Sequence, residues 1–131
     1  MNGDRAALDT NIAVHLLNDL PEILRWLTPF RELVVPVPVI GELNYGARNS
    51  ARPDENLARL QRLLARFPSM DMDAGTADVY GRLRVQLRKA GKPIPENDLW
   101  IAALCVQRGV PLATRDVHFA ALPELIVITP Q

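Results

Sequence analysis

Along this chain, short apolar runs alternate with longer segments whose apolar residues recur every three or four positions. The first kind suits buried strands and the second suits amphipathic helices. Their regular alternation marks βαβ units, hence an α/β fold around a central parallel sheet of about five strands. Strands are expected over residues 5–9, 33–37, 69–73, 111–114 and 125–129. Pro36 implies a strand end or a sheet edge, because proline cannot donate to a ladder. Thr10 and Asn11 open a helix reaching about residue 19, and Pro21 and Glu22 begin a short one ending near residue 29. Pro38 suits the first turn of a helix that runs to about Asn49, since its missing N–H has no partner there anyway. Leu57, Leu60 and Leu64 form the stripe of a helix over 54–67. Asp73 reads as the N-cap of a helix to about Ala90, with Ala77, Tyr80, Leu83, Val85 and Leu87 as its apolar positions. A loop over 91–95 precedes the most apolar helix, which starts at Asn97 or Asp98 and stops before Gly109. A short helix is expected over 117–122.

At 131 residues the chain has room for one core, so a single domain over 1–131 is expected. It has no uninterrupted apolar run of the roughly 18 residues a membrane helix needs. Met1-Asn2-Gly3-Asp4-Arg5 lacks the basic and apolar regions of an export signal. Cys105 is alone, which suits a reducing cytoplasm and reads as a packed thiol inside an apolar helix. Net charge is zero, but it is unevenly spread: residues 48–92 carry ten basic and five acidic groups, and the flanks carry five basic and ten acidic. An acidic centre beside a basic arm fits an enzyme that acts on a polyanion. The arginines at 48, 52, 59, 62 and 66 fit the solvated faces of two helices equally well.

Four acids stand out within those flanks. Asp9 ends the first apolar run, and Asp116 closely follows another. Glu42 and Asp98 lie at or near the starts of helical runs. Side chains so placed can meet at the carboxyl edge of a parallel sheet, where open α/β folds put their sites. Like charges about 4 Å apart repel by roughly 4 kcal/mol per pair at an effective dielectric near 20. Such a cluster calls for a divalent cation or for protonation of some members, and the cation is the simpler account. Each acid also has a plainer role open to it: Asp9 and Asp98 as helix caps, Glu42 as helix surface, Asp116 as a turn residue. Thr10, Asn11 and Thr114 could position a phosphate or a water, or simply close turns. Arg115 could meet substrate phosphate or lie in solvent. His15 and His118 have no recognisable ligand spacing and read as structural or surface residues.

Four motifs in register carry a family resemblance: Leu8-Asp9-Thr10-Asn11, the segment Ile40 to Ala47 around Glu42, Asn97-Asp98-Leu99-Trp100-Ile101-Ala102-Ala103, and Ala113-Thr114-Arg115-Asp116. In this order and spacing the chain resembles PIN domains, specifically VapC-type toxins of toxin–antitoxin pairs, over nearly its whole length. The resemblance implies a PIN-like α/β/α sandwich and a Mg²⁺-dependent endoribonuclease, with Mn²⁺ as a substitute. Asp9, Glu42, Asp98 and Asp116 would be its catalytic and metal-binding residues. The products would carry a 5′-phosphate and a 3′-hydroxyl. The resemblance further implies an antitoxin partner, a homodimer, and a groove for the antitoxin formed in part by helices 54–66 and 73–90; their leucines could equally complete the core. Two alternatives remain at this level: a PIN nuclease of RNA processing outside any toxin–antitoxin pair, and a non-catalytic RNA- or protein-binding module.

Overall fold

The structure, a computed structural model, describes residues 4–130. Met1–Gly3 and Gln131 lie outside the described residues, and so does most of the segment read for an export signal. Five parallel strands form one sheet in the order β3-β2-β1-β4-β5. They are β1 (Arg5–Leu8), β2 (Glu32–Pro36), β3 (Ser69–Met70), β4 (Leu112–Ala113) and β5 (Val127–Ile128). Among the described residues, six α-helices flank the sheet: α1 (Thr10–Leu17), α2 (Pro21–Leu27), α3 (Val37–Arg48), α4 (Pro53–Arg66), α5 (Ala74–Ala90) and α6 (Glu96–Arg108). Among the described residues, no helix is long and apolar enough to cross a membrane.

The strand order places the site. From the central β1 the chain builds outward through β2 to β3, then returns to lay β4 against the other side of β1. The gap between the carboxyl ends of β1 and β4 is thus the point where the winding reverses, the crevice where such sheets bind ligands. Ala6, Ala7 and Leu8 of β1 are fully buried, as are Leu112 and Ala113 of β4. The alanines among them let helices pack close to the sheet. Ile101 to Leu104 of α6 are equally buried, which explains why this helix reads as nearly all apolar. Cys105 lies among them, its thiol pKa pushed up by burial. It is a packing residue.

Several expectations shift in detail. The second strand ends at Pro36 and Val37 already belongs to α3, with Pro38 in the helix's first turn. Pro36 therefore marks a strand end, since β2 lies between two neighbours. The third strand keeps only Ser69 and Met70 because Asp73 turns away to cap α5. In α4 the buried leucines are Leu60 and Leu63, with Leu57 and Leu64 only half-buried. In α5 the buried stripe runs through Thr76, Leu83 and Leu87, while Ala77 and Val85 face outward. The last helix starts at Glu96 behind an N-cap at Pro95, so neither Asn97 nor Asp98 opens it.

Candidate active site

Asp9 follows the last residue of β1 and continues its ladder, its N–H donating to the Ala113 carbonyl at 3.0 Å. Its side chain caps α1, Oδ1 accepting from the Thr10 N–H at 2.9 Å. The plainer role open to Asp9 is therefore real. It does not account for the other oxygen, Oδ2, which accepts from Thr114 Oγ1 at 2.5 Å and from Asn11 Nδ2 at 3.2 Å. Only 3% of Asp9 is exposed, so both oxygens are held by the protein in one orientation. Thr114 in turn accepts from the Asp116 N–H at 2.9 Å, and Asn11 Oδ1 accepts from the Arg115 N–H at 3.2 Å. The segment after β4 is thereby tied to the start of α1 across the switch point.

The second side of the site comes from helices α3 and α6. Glu42, exposed on α3, accepts from Thr10 Oγ1 at 3.0 Å and from the Asn97 side-chain amide. Asp98 sits in the first turn of α6, where the helix dipole favours negative charge. Opposite it, Asp116 caps a short 3₁₀ helix (Val117–Ala121), accepting from the His118 N–H at 2.9 Å. The His118 imidazole Nδ1 also meets Asp116 Oδ1. One ligand-capable atom each from Asp98, Asp116 and His118 lie within 4.8 Å of one another.

Electrostatics in this crevice run against the charged carboxylates. Burial pushes the Asp98 pKa from 3.8 up to about 6, with the charges of Asp9, Asp116 and Glu42 adding to the rise and His118 opposing it. Asp9 is also raised, mainly by burial, against the lowering effect of its bonds to Thr114 and Thr10. Among the described residues, Asp9, Glu42 and Asp98 have no arginine or lysine as an ion-pair partner. Asp116 has only His118.

All four acids singled out in the sequence therefore surround one crevice, together with Thr10, Asn11 and Thr114. Asp98 is not a cap, so the plain role offered for it disappears. Arg115 is there through its backbone, while its guanidinium lies 3.1 Å from His15 Nε2. Two site residues escape a reading of the sequence. Asn97 holds Glu42 from 55 positions away, and the only trace of that is its adjacency to Asp98. His118 stands with Asp98 and Asp116 within ligand distance of one another even though no second histidine stands at a ligand spacing. Asp116-x-His118, two potential ligands on one short turn, was the trace available.

A family model described as the PIN domain matches residues 6–125. The chain is 32% identical to Ribonuclease VapC2 of Rickettsia felis, across 92% of this chain and 93% of the relative. It is 33% identical to Ribonuclease VapC4 of Mycobacterium tuberculosis, across 98% and 99% of the two chains. In three dimensions it is similar to a chain in the crystal structure of VapBC2 from Rickettsia felis bound to a promoter DNA fragment. The TM-score there is 0.89 at 29% identity, covering 97% of this chain and 99% of that one. The chain belongs to the PIN-domain family, among its VapC ribonucleases.

Proposed function

We propose that this chain is the toxin of a toxin–antitoxin pair, a single-domain endoribonuclease that hydrolyses RNA phosphodiester bonds at the crevice between β1 and β4. Mg²⁺ is the expected resident ion and Mn²⁺ its substitute. The observation that carries this reading is the uncompensated negative charge around Asp98, whose carboxyl is driven to about 6 by burial and three neighbouring acids. The donor set fits the ion: carboxylate oxygens dominate it, and Mg²⁺ takes oxygen ligands while keeping several waters. Asp9, Asp98 and Asp116 would hold it, with Glu42 beside them. When bound, such an ion acidifies a water and polarises a phosphoryl oxygen for in-line attack.

The chain's own residues supply position. Thr10, Asn11 and Thr114 fix both oxygens of Asp9, so little freedom is lost when that carboxylate takes up its role. Thr10 and Asn97 fix one oxygen of Glu42 and leave the other to orient a water or accept its proton. Arg115 ties the segment to the site through its backbone N–H, and its guanidinium, held against His15, would meet a substrate phosphate only by leaving that contact.

The partner reading rests on a second surface. A groove of about 250 Å³ runs between α1, α2 and α4, without the contribution expected from α5, its wall formed by Leu16, Leu20 and Leu63, by Arg59, Arg62 and Arg66, and by a single acid, Asp19. Apolar floor and basic rim suit an acidic amphipathic segment of an antitoxin. A homodimer that assembles with its antitoxin, working in the cytoplasm, completes the proposal. The deciding experiment is cleavage of RNA by the purified chain with Mg²⁺. Cleavage should stop with EDTA, return with added Mg²⁺ or Mn²⁺, and be lost in Asp9→Asn. Undiminished cleavage by Asp9→Asn would overturn the assignment.

A further inference from the structure

We propose that His118 is a nitrogen ligand of the ion held by Asp98 and Asp116, and that it biases this site toward Mn²⁺ over Mg²⁺. The inference rests on the metal-dependent reading above and adds a residue and a selectivity to it. One ring nitrogen of His118 lies within 4.8 Å of carboxylate oxygens of both Asp98 and Asp116, which reach it from separate elements, α6 and the turn after β4. A histidine that merely decorated the turn would need to approach only its neighbour in sequence. The turn itself is anchored. Phe119 is fully buried, Val117 points outward at 85% exposure, and the His118 N–H is bonded to Asp116. These contacts place the imidazole at the mouth of the crevice, half-exposed.

The ring has the right chemistry for this position. A neutral imidazole keeps a lone pair on one nitrogen and a proton on the other, so one side can ligate while the other donates to a carboxylate. Mg²⁺ prefers oxygen and is reluctant to give up water, whereas imidazole suits transition metals. An oxygen-only crevice would favour neither ion through its donors. Adding His118 tips the balance.

The test uses the untagged chain with Mn²⁺ alone, read by pulsed electron paramagnetic resonance for coupling to a directly bound nitrogen. Protein labelled with ¹⁵N-histidine should change the coupling from ¹⁴N to ¹⁵N. His118→Ala should abolish it and weaken Mn²⁺ binding by about tenfold or more, while Mg²⁺ binding by calorimetry changes less. His15→Ala should leave the coupling intact. Mn²⁺ bound without nitrogen coupling in the unaltered chain would overturn the inference and leave the metal-dependent reading standing. Coupling that survives in His118→Ala would also overturn it, by assigning the nitrogen elsewhere. If the unaltered chain binds no Mn²⁺ at all, both the inference and the metal-dependent reading fail.

Discussion

Asp9 and Asp73 use one device in two environments. Each is the N-cap of a helix, accepts from a backbone N–H near the helix start, and is braced by a threonine and a side-chain amide. Around Asp73 the partners are Thr76, whose N–H donates at 3.1 Å, and Gln107 Nε2 at 2.7 Å. Arg108 stands 3.7 Å from its other oxygen. The Asp73 carboxyl is held below its usual pKa, chiefly by Gln107. Around Asp9 the partners are Thr10, Thr114 and Asn11, no arginine balances the charge, and the carboxyl is raised. A cap that serves only its helix settles where water and a cation can support it. A cap buried among three other acids does not, so capping alone cannot account for Asp9. The surplus charge is what the proposed divalent ion would balance.

That contrast can be broken most visibly by removing each charge in turn. Asp9→Asn should lower RNA cleavage at least about a hundredfold, because metal-assisted charge stabilisation is worth several kcal/mol. The fold should survive, since asparagine still caps a helix. Asp73→Asn should leave the cleavage rate unchanged. Equal losses in the two variants would erase the distinction.

Titration sharpens the comparison. The native Asp98 carboxyl binds its proton more tightly than an ordinary aspartate, with a pKa near 6 against 3.8. The folded state therefore holds more protons across that window, and this group's contribution to stability falls as pH rises through it. Calorimetry of the metal-free chain should show part of its stability lost between pH 3.8 and about 6. Asp98→Asn should flatten that slope and raise the melting temperature at neutral pH, and Mn²⁺ should recover the loss in the unaltered chain. A melting temperature that Asp98→Asn lowers at neutral pH would contradict this. Asp73, with its pKa lowered, has the opposite sign: Asp73→Ala removes a capping box, and the melting temperature should drop by a few degrees above the acid range. The smallest effect should come from Val85→Ser, on the outward side of the same helix at 52% exposure. Its unfolding free energy should stay within about 0.5 kcal/mol of the unaltered chain. A larger loss would place Val85 in a buried contact.

What could be read from the sequence follows how local each cause is. The Asp73 capping box joins residues three positions apart, and the Asp9 cap joins neighbours, so both show as patterns. The strands show as apolar runs, but only two residues each of β3, β4 and β5 pair, because pairing depends on the neighbouring strand. Asn97 and Asp98 both look like caps, yet Pro95 takes that place and frees them to face Glu42 and Asp116. The approach of His118 to within 4.8 Å of Asp98 crosses 20 positions of chain, and no periodicity encodes it. Convergence of the four acids was foreseeable from strand ends and motifs together. The supporting hydrogen bonds that aim them were not.

The most direct test is a crystal of the chain grown with Mn²⁺, with the ion located by its anomalous scattering. The account predicts a Mn²⁺ peak in the crevice between β1 and β4, bounded by the carboxylates of Asp9, Asp98 and Asp116. A peak elsewhere on the molecule, or none in this crevice at saturating Mn²⁺, would contradict it.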